Sequence, residues 1–222
     1  MNRLIKLGII IHLFIIGGCG MGENNPEKKA VQGEGNSNET PKAAALQDEF
    51  TKGYLISSEE TDKGYFTFKS KIDGYTMLFP SGALISEDFG NEKRDDAFEA
   101  IMYGYKLNGA SISTRITYQN KPSTQDIEEK QRLLSVAVGY EGTFEEIKAK
   151  GKTIYFAKKT AELKNSNGFV YFSFIKAENS DQAVEFIFNT RCKKEDKTCN
   201  SNVNDLENTA IKIMKSVQFE QE

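Results

Sequence analysis

From about residue 50 onward, apolar and polar positions alternate in short runs separated by turn residues; before it they do not. Residues 65–68 and 75–79 alternate as strands do, and Pro80-Ser81-Gly82 stops the second. Residues 98–105 and 111–118 flank Asn108-Gly109, a pair that turns a two-residue hairpin. Period two sends Ile112, Ile116 and Tyr118 to one face and Ser113 and Thr117 to the other. Pro122-Ser123 then predicts a helix start, with Ser123 as cap and Asp126 three residues on. That helix runs to about Val138 with Ile127, Leu134, Ala137 and Val138 as its apolar stripe. A second short helix is expected around residues 145–150. Three strands follow at 153–163, 169–177 and 183–191, turned by Asn167-Gly168 and by Asn179-Ser180-Asp181, giving an antiparallel meander. In Phe169-Val170-Tyr171-Phe172-Ser173-Phe174-Ile175 nearly every side chain is apolar, so this strand is expected to be central and covered on both faces. Val203, Leu206, Ala210, Met214 and Val217 recur at helical steps, which predicts a covering helix, and Val217-Gln218-Phe219 ends extended. The pattern predicts one α+β domain over residues 50–222, an antiparallel sheet with helices packed on it as an α/β/α three-layer sandwich.

The stretch before this domain reads differently. Residues 20–47 are rich in Gly, Asn, Glu, Lys and Ala with no sustained apolar period, which predicts that 19–49 is a disordered tether. Some thirty flexible residues span on the order of 30 Å, enough to lift a domain clear of lipid headgroups. Ahead of them stand Arg3 and Lys6, an apolar run over 7–16, and Ile16-Gly17-Gly18-Cys19. That order is a secretory signal, and the run falls well short of the roughly 20 residues that cross a hydrocarbon core. Its end resembles the lipobox of bacterial lipoproteins. The resemblance implies that residues 1–18 are a signal peptide cut before Cys19, that the Cys19 sulfur carries diacylglycerol, and that the new amino terminus is acylated, palmitate being the expected fatty acid. The protein would then be extracytoplasmic and anchored to the cell membrane by lipid, because two or more chains hold where one is marginal.

Losing Arg3 and Lys6 with the signal moves the formal charge from −3 to −5. A mildly acidic surface argues against a nucleic-acid partner. The one histidine, His12, lies in the signal segment, so the mature chain has no histidine for a Ser-His-Asp or Cys-His pair or for metal ligation. The charged segment over 87–96 lacks the ligand spacing of a calcium loop. Lysines 148, 150, 152, 158 and 159 cluster among glutamates and are expected to form a solvated face. Cys192 and Cys199 flank a polar loop in an exported protein, where a disulfide is the natural reading, with free thiols or redox or metal work as alternatives. Closing so short a loop would contribute about 2.5 kcal/mol. No cofactor, metal or catalytic residue is called by any spacing in the sequence.

Gly74-Tyr75-Thr76-Met77-Leu78-Phe79-Pro80-Ser81-Gly82, a glycine and an aromatic leading an alternating strand into proline, resembles the opening strand of PsbP/Mog1-like domains. The segment from Ala210-Ile211 to Ser216-Val217-Gln218-Phe219 is similar to their final helix and strand, although the tryptophan often found past the proline is replaced here by Ala83 and Leu84. The resemblance implies a binding or assembly module and assigns no residue. Three functions stay open: a non-catalytic module that binds another envelope protein, a small-ligand receptor with a pocket lined by Tyr103, Tyr105, Phe169 and Tyr171, and a hydrolase working through paired carboxylates.

Overall fold

A computed structural model describes residues 43–220. Two single-turn helices, α1 (Ala44–Gln47) and α2 (Glu49–Lys52), lead into strands β1 (Tyr65–Lys69), β2 (Tyr75–Pro80), β3 (Leu84–Ile85) and β4 (Glu92–Arg94). The hairpin β5 (Phe98–Leu107) and β6 (Ala110–Asn120) precedes a 3-10 turn at Pro122–Gln125 and helix α3 (Ile127–Val138). Strands β7 (Glu145–Ala149), β8 (Lys152–Glu162), β9 (Ser166–Ala177) and β10 (Gln182–Lys193) follow, then α4 (Lys197–Ser201), α5 (Val203–Ser216) and β11 (Gln218–Phe219). The class is α+β. Every pairing is antiparallel: an eight-stranded sheet runs β3-β5-β6-β10-β9-β8-β7 with β4 also on β5, and a small sheet runs β1-β2-β11.

The β5–β6 hairpin turns at Asn108 and Gly109, whose φ of 49° and 82° are the left-handed values a two-residue turn of matching twist requires. Elsewhere the local chemistry differs from the expectation. Asp126, not Ser123, caps α3 by accepting from the Glu129 amide, because the chain first closes a 3-10 turn held by the buried Thr124 hydroxyl donating to Asp181 O at 2.6 Å. Ala137 is exposed, and Lys130 takes a buried place on the inner face of α3 instead. Residues 145–149 form the edge strand β7 and not a helix, and 92–94 within the charged segment form β4, so charged side chains line edges that would otherwise recruit a stray strand. Asn167-Gly168 lies inside β9, with Gly168 opposite Ala161; the turn falls instead at Lys164 and Asn165.

One face of the large sheet carries the main core. Helix α5 presents buried Leu206, Ala210, Ile213 and Met214, and the small sheet presents Phe66, Phe68, Met77 and Phe79. The folded unit also begins ahead of residue 50: Ala45 is fully buried in this core, its amide donating to Ser81 O at 3.0 Å. Lys152, a member of the supposed solvated lysine face, is buried and donates to Val217 O at the end of α5. Strand β9 is central and covered on both sides from Tyr171 to Ala177, as its run of apolar residues requires. On the opposite face a smaller cluster joins Leu134 of α3 to Phe172, Phe174, Ala157 and Ile187, with Tyr140 and Phe144 packed against it. Cys192 at the end of β10 is bonded to Cys199 of α4, their Cα atoms 5.6 Å apart, which ties the last strand to the segment leading into α5.

Candidate functional site

Helix α3 covers only part of its face of the large sheet. The registers define what lies beside it. One row across the strands reads Leu84, Gly104, Ser113, Asn189, Val170 and Lys159; the next reads Lys106, Ser111, Arg191, Gly168 and Ala161. Directly opposed residues share a face, so these side chains form one surface. It is hollowed into a trough of about 470 Å³ over β6, β8, β9 and β10. Its lining is mixed, with exposed Ser111, Ser113 and Asn189 beside Gly168 and Ala161 and with apolar Ile112, Leu163 and Val170.

The charges in these two rows, Lys106, Arg191 and Lys159, are of one sign, and Glu185 stands on the same face two rows beyond Asn189. Arg191 lines the trough, Lys106 stands in the same row, and Arg115, opposite Ile187, shares the face in the row toward α3. Neither row contains an aspartate or glutamate. Among the described residues, Arg94 pairs with Glu92 and Arg132 with Glu129, whereas neither Arg115 nor Arg191 has an ion pair. Lys159 differs from these in donating to Val138 O and Gly139 O, the closing carbonyls of α3. The sequence reading did not single out Arg115 or Arg191. The signal for Arg115 was available, since the alternation that sent Ser113 and Thr117 outward sends Arg115 with them.

The residues named in advance lie elsewhere. Tyr103 and Tyr171 are each 2 % exposed, and Tyr105 and Phe169 pack against the same main core, so these four aromatics belong to the interior and not to the trough. Burial pushes the Tyr171 phenol up to about 12, and its hydroxyl donates to Val203 O at 3.1 Å, a packing bond to the start of α5. Cys192 and Cys199 are joined as a disulfide and fully buried. Cys19 and the signal segment lie outside the described residues.

Paired carboxylates are not assembled around the one buried carboxylate among the described residues. Glu99 is 1 % exposed on the main-core face; its Oε1 accepts the Lys71 amide at 2.9 Å and its Oε2 is buried with no hydrogen-bond partner. Burial holds this carboxyl above its ordinary value of 4.5, against the opposing pull of the Lys71 amide and the Ser70 side chain. The folded protein therefore keeps a proton that the unfolded chain has already released as pH rises from 4.5, and stability falls through that window. Glu99→Gln should be more stable than the parent at pH 7 by urea unfolding, with the advantage vanishing below pH 4.5. A variant weaker than the parent at pH 7 would show that the charged form is welcome there. Among the described residues no group of three or more His, Cys, Asp or Glu is placed to hold a metal ion. No described helix is long and apolar enough to cross a membrane.

Residues 41–218 match the family model described as "Putative lipoprotein YvcA". A protein of that same name from Bacillus subtilis (strain 168) is 27% identical over 99% of this chain and 97% of its own length. A crystal structure from Bacteroides thetaiotaomicron VPI-5482 at 1.50 Å shares 11% identity over 70% of this chain, with a TM-score of 0.42; the match spans 48% of that structure's own chain.

Proposed function

The chain belongs to this YvcA/Mog1p lipoprotein family, and from that premise we propose that its domain is a non-catalytic binding module, held at the cell membrane by lipid on Cys19, that docks another envelope protein. The observation that carries the proposal is the half-uncovered face beside α3: arginines without ion pairs around a floor of mostly small side chains, on a chain whose overall charge is negative. The domain is read as a three-layer α/β/α arrangement whose outer layer on one side is half built, and a partner completes it. Solvation alone does not account for the segregation, since a merely wet sheet face mixes both signs. Absence of turnover is supported by the composition: no mature histidine, two cysteines joined to each other, and a lone buried glutamate on the opposite face. A tether confines the domain near its partners and raises their effective concentration.

The trough volume lies in the range of small-molecule sites, which keeps a receptor reading as the second one. Its lining includes Ile112, Leu163 and Val170 but no aromatic side chain, and the absence of an aromatic wall favours a macromolecular surface. The test places a photo-crosslinking benzophenone residue at Ser113, inside the trough, and separately at exposed Asn204 on α5, in intact cells. A discrete protein adduct from position 113 and none from 204 is expected. No adduct from 113, with the protein folded and exported, would defeat the reading.

A further inference from the structure

We infer that the open half-face receives an extended acidic segment of the partner protein, with Arg115 and Arg191 each pairing with one carboxylate; this rests on the binding reading above. Arg191 stands opposite Ser111 and Arg115 opposite Ile187, on the same face of neighbouring strands. From the row of Ser111 to that of Arg115 is four residues of strand, about 13 Å at 3.3 Å per residue. An extended peptide covers the same distance in four residues, and period two places its side chains i and i+4 on one side. Two acidic residues so spaced reach both arginines at once.

Three features choose this occupant. The guanidinium is a planar fork that binds carboxylates in pairs of hydrogen bonds, and both forks lack an anion of their own. Ser111, Ser113, Asn189 and Gly168 between them leave room for a main chain to lie close, and supply hydroxyl and amide groups for its polar atoms. The two rows carry no aromatic side chain, so the stacking platform on which single-stranded nucleic acid depends is missing. Anionic lipid would satisfy the charge alone, and the experiment separates it.

In cells carrying the crosslinking residue at position 113, the adduct is mapped to its partner peptide, and its yield is compared with that of the Arg115→Gln/Arg191→Gln protein. Both side chains are exposed and without ion pairs, so the fold is retained, checked by an unchanged melting temperature. The expected result is a peptide bearing two Asp or Glu residues four apart and a fall in yield of about tenfold, partly restored by lysine at both positions. In parallel the lipidated protein in neutral phosphatidylcholine nanodiscs is titrated with the synthetic peptide Ser-Glu-Ser-Thr-Ser-Glu-Ser, with its glutamine counterpart, and with vesicles of equal phosphatidylglycerol and phosphatidylcholine. Preference for the glutamate peptide, lost in the double glutamine variant, supports the inference. Equal binding of both peptides, preference for the anionic vesicles, or an adduct mapped to lipid overturns it. An adduct of undiminished yield in the double variant also overturns it, while leaving the binding reading intact; no adduct at all ends both.

Discussion

Phe172→Ala should destabilise the protein by about 3–5 kcal/mol, the range for removing a fully enclosed phenyl ring from a core. Phe172 is 0 % exposed on the central strand β9. The Tyr140 and Phe144 rings meet it edge-on, with centroids at 5.1 and 5.6 Å. These three rings hold the segment after α3 onto the sheet, and Leu134 is the one apolar side chain of α3 that is fully buried. The loss should therefore be unequal. Amide exchange in α3 should accelerate more than in α5, whose larger cluster lies on the other face. Urea unfolding gives the magnitude and exchange gives the distribution; a cost under 1 kcal/mol, or equal acceleration in both helices, would refute the account of a small independent cluster.

That cluster explains how far the fold was legible. Strands announced by strict alternation, such as β6, and by a continuous apolar run, such as β9, stand where the pattern put them, because one buried face or two leaves a direct trace in the chain. Edge strands leave a contrary trace. Glu145-Glu146-Ile147-Lys148 carries charges as an exposed helix would, and nothing local separates the two. Asn167-Gly168 has ideal turn chemistry, yet the pairing of β8 with β9 runs past it, and Gly168 serves as part of a low floor instead. Gly74, which led the family-like opening strand, has a reason that only the structure supplies. A Cβ there would come within 2.4 Å of the Tyr118 ring, itself stacked on Tyr75, so the glycine makes room for an aromatic contributed by another strand.

The candidate site was half legible. Parity alone puts Arg115 with Ser113 on the face away from Ile112 and Ile116. What parity cannot give is whether a helix covers that face. The lengths bear on it: twelve residues of α3 reach about 18 Å, while the sheet, seven strands wide at about 4.8 Å spacing, extends about 29 Å. One such helix lies over the part that carries Phe172, Phe174 and Ile187, which is apolar, and leaves the part that carries Ser111, Ser113 and Asn189, which is not. The side chains beneath the helix are apolar, and those of the open part are mostly small or polar, with Val170 and Leu163 among them.

A buried cation lies beneath α3, and removing its counter-charge gives the second large effect. Lys130 on the inner side of α3 reaches Gln119 Oε1 at 2.5 Å and Glu185 Oε1 at 3.7 Å, while Gln119 Nε2 donates to Glu185 Oε1 at 3.3 Å. The lysine side chain is 8% exposed and the glutamate 18%. Burial depresses the Lys130 ammonium below its ordinary 10.5, and Glu185 opposes that shift. Glu185→Gln leaves the ammonium enclosed with amide partners only, and should lower stability by about 2–4 kcal/mol at pH 7. Lys130→Met should cost less, about 1 kcal/mol, since Glu185 retains the Gln119 donor and more access to water. Sign follows from proton counting. A depressed lysine pKa means that the unfolded chain binds the extra proton just below 10.5, so folding gains as pH rises through that window, and Glu185→Gln widens the window by lowering the pKa further. The deficit of Glu185→Gln should therefore shrink as pH approaches 10.5 while that of Lys130→Met grows, since the parent gains there and the methionine variant does not, both read from urea unfolding across the range. Parallel pH profiles for the two variants would mean that the glutamate acts through packing and not through the charge it offers Lys130.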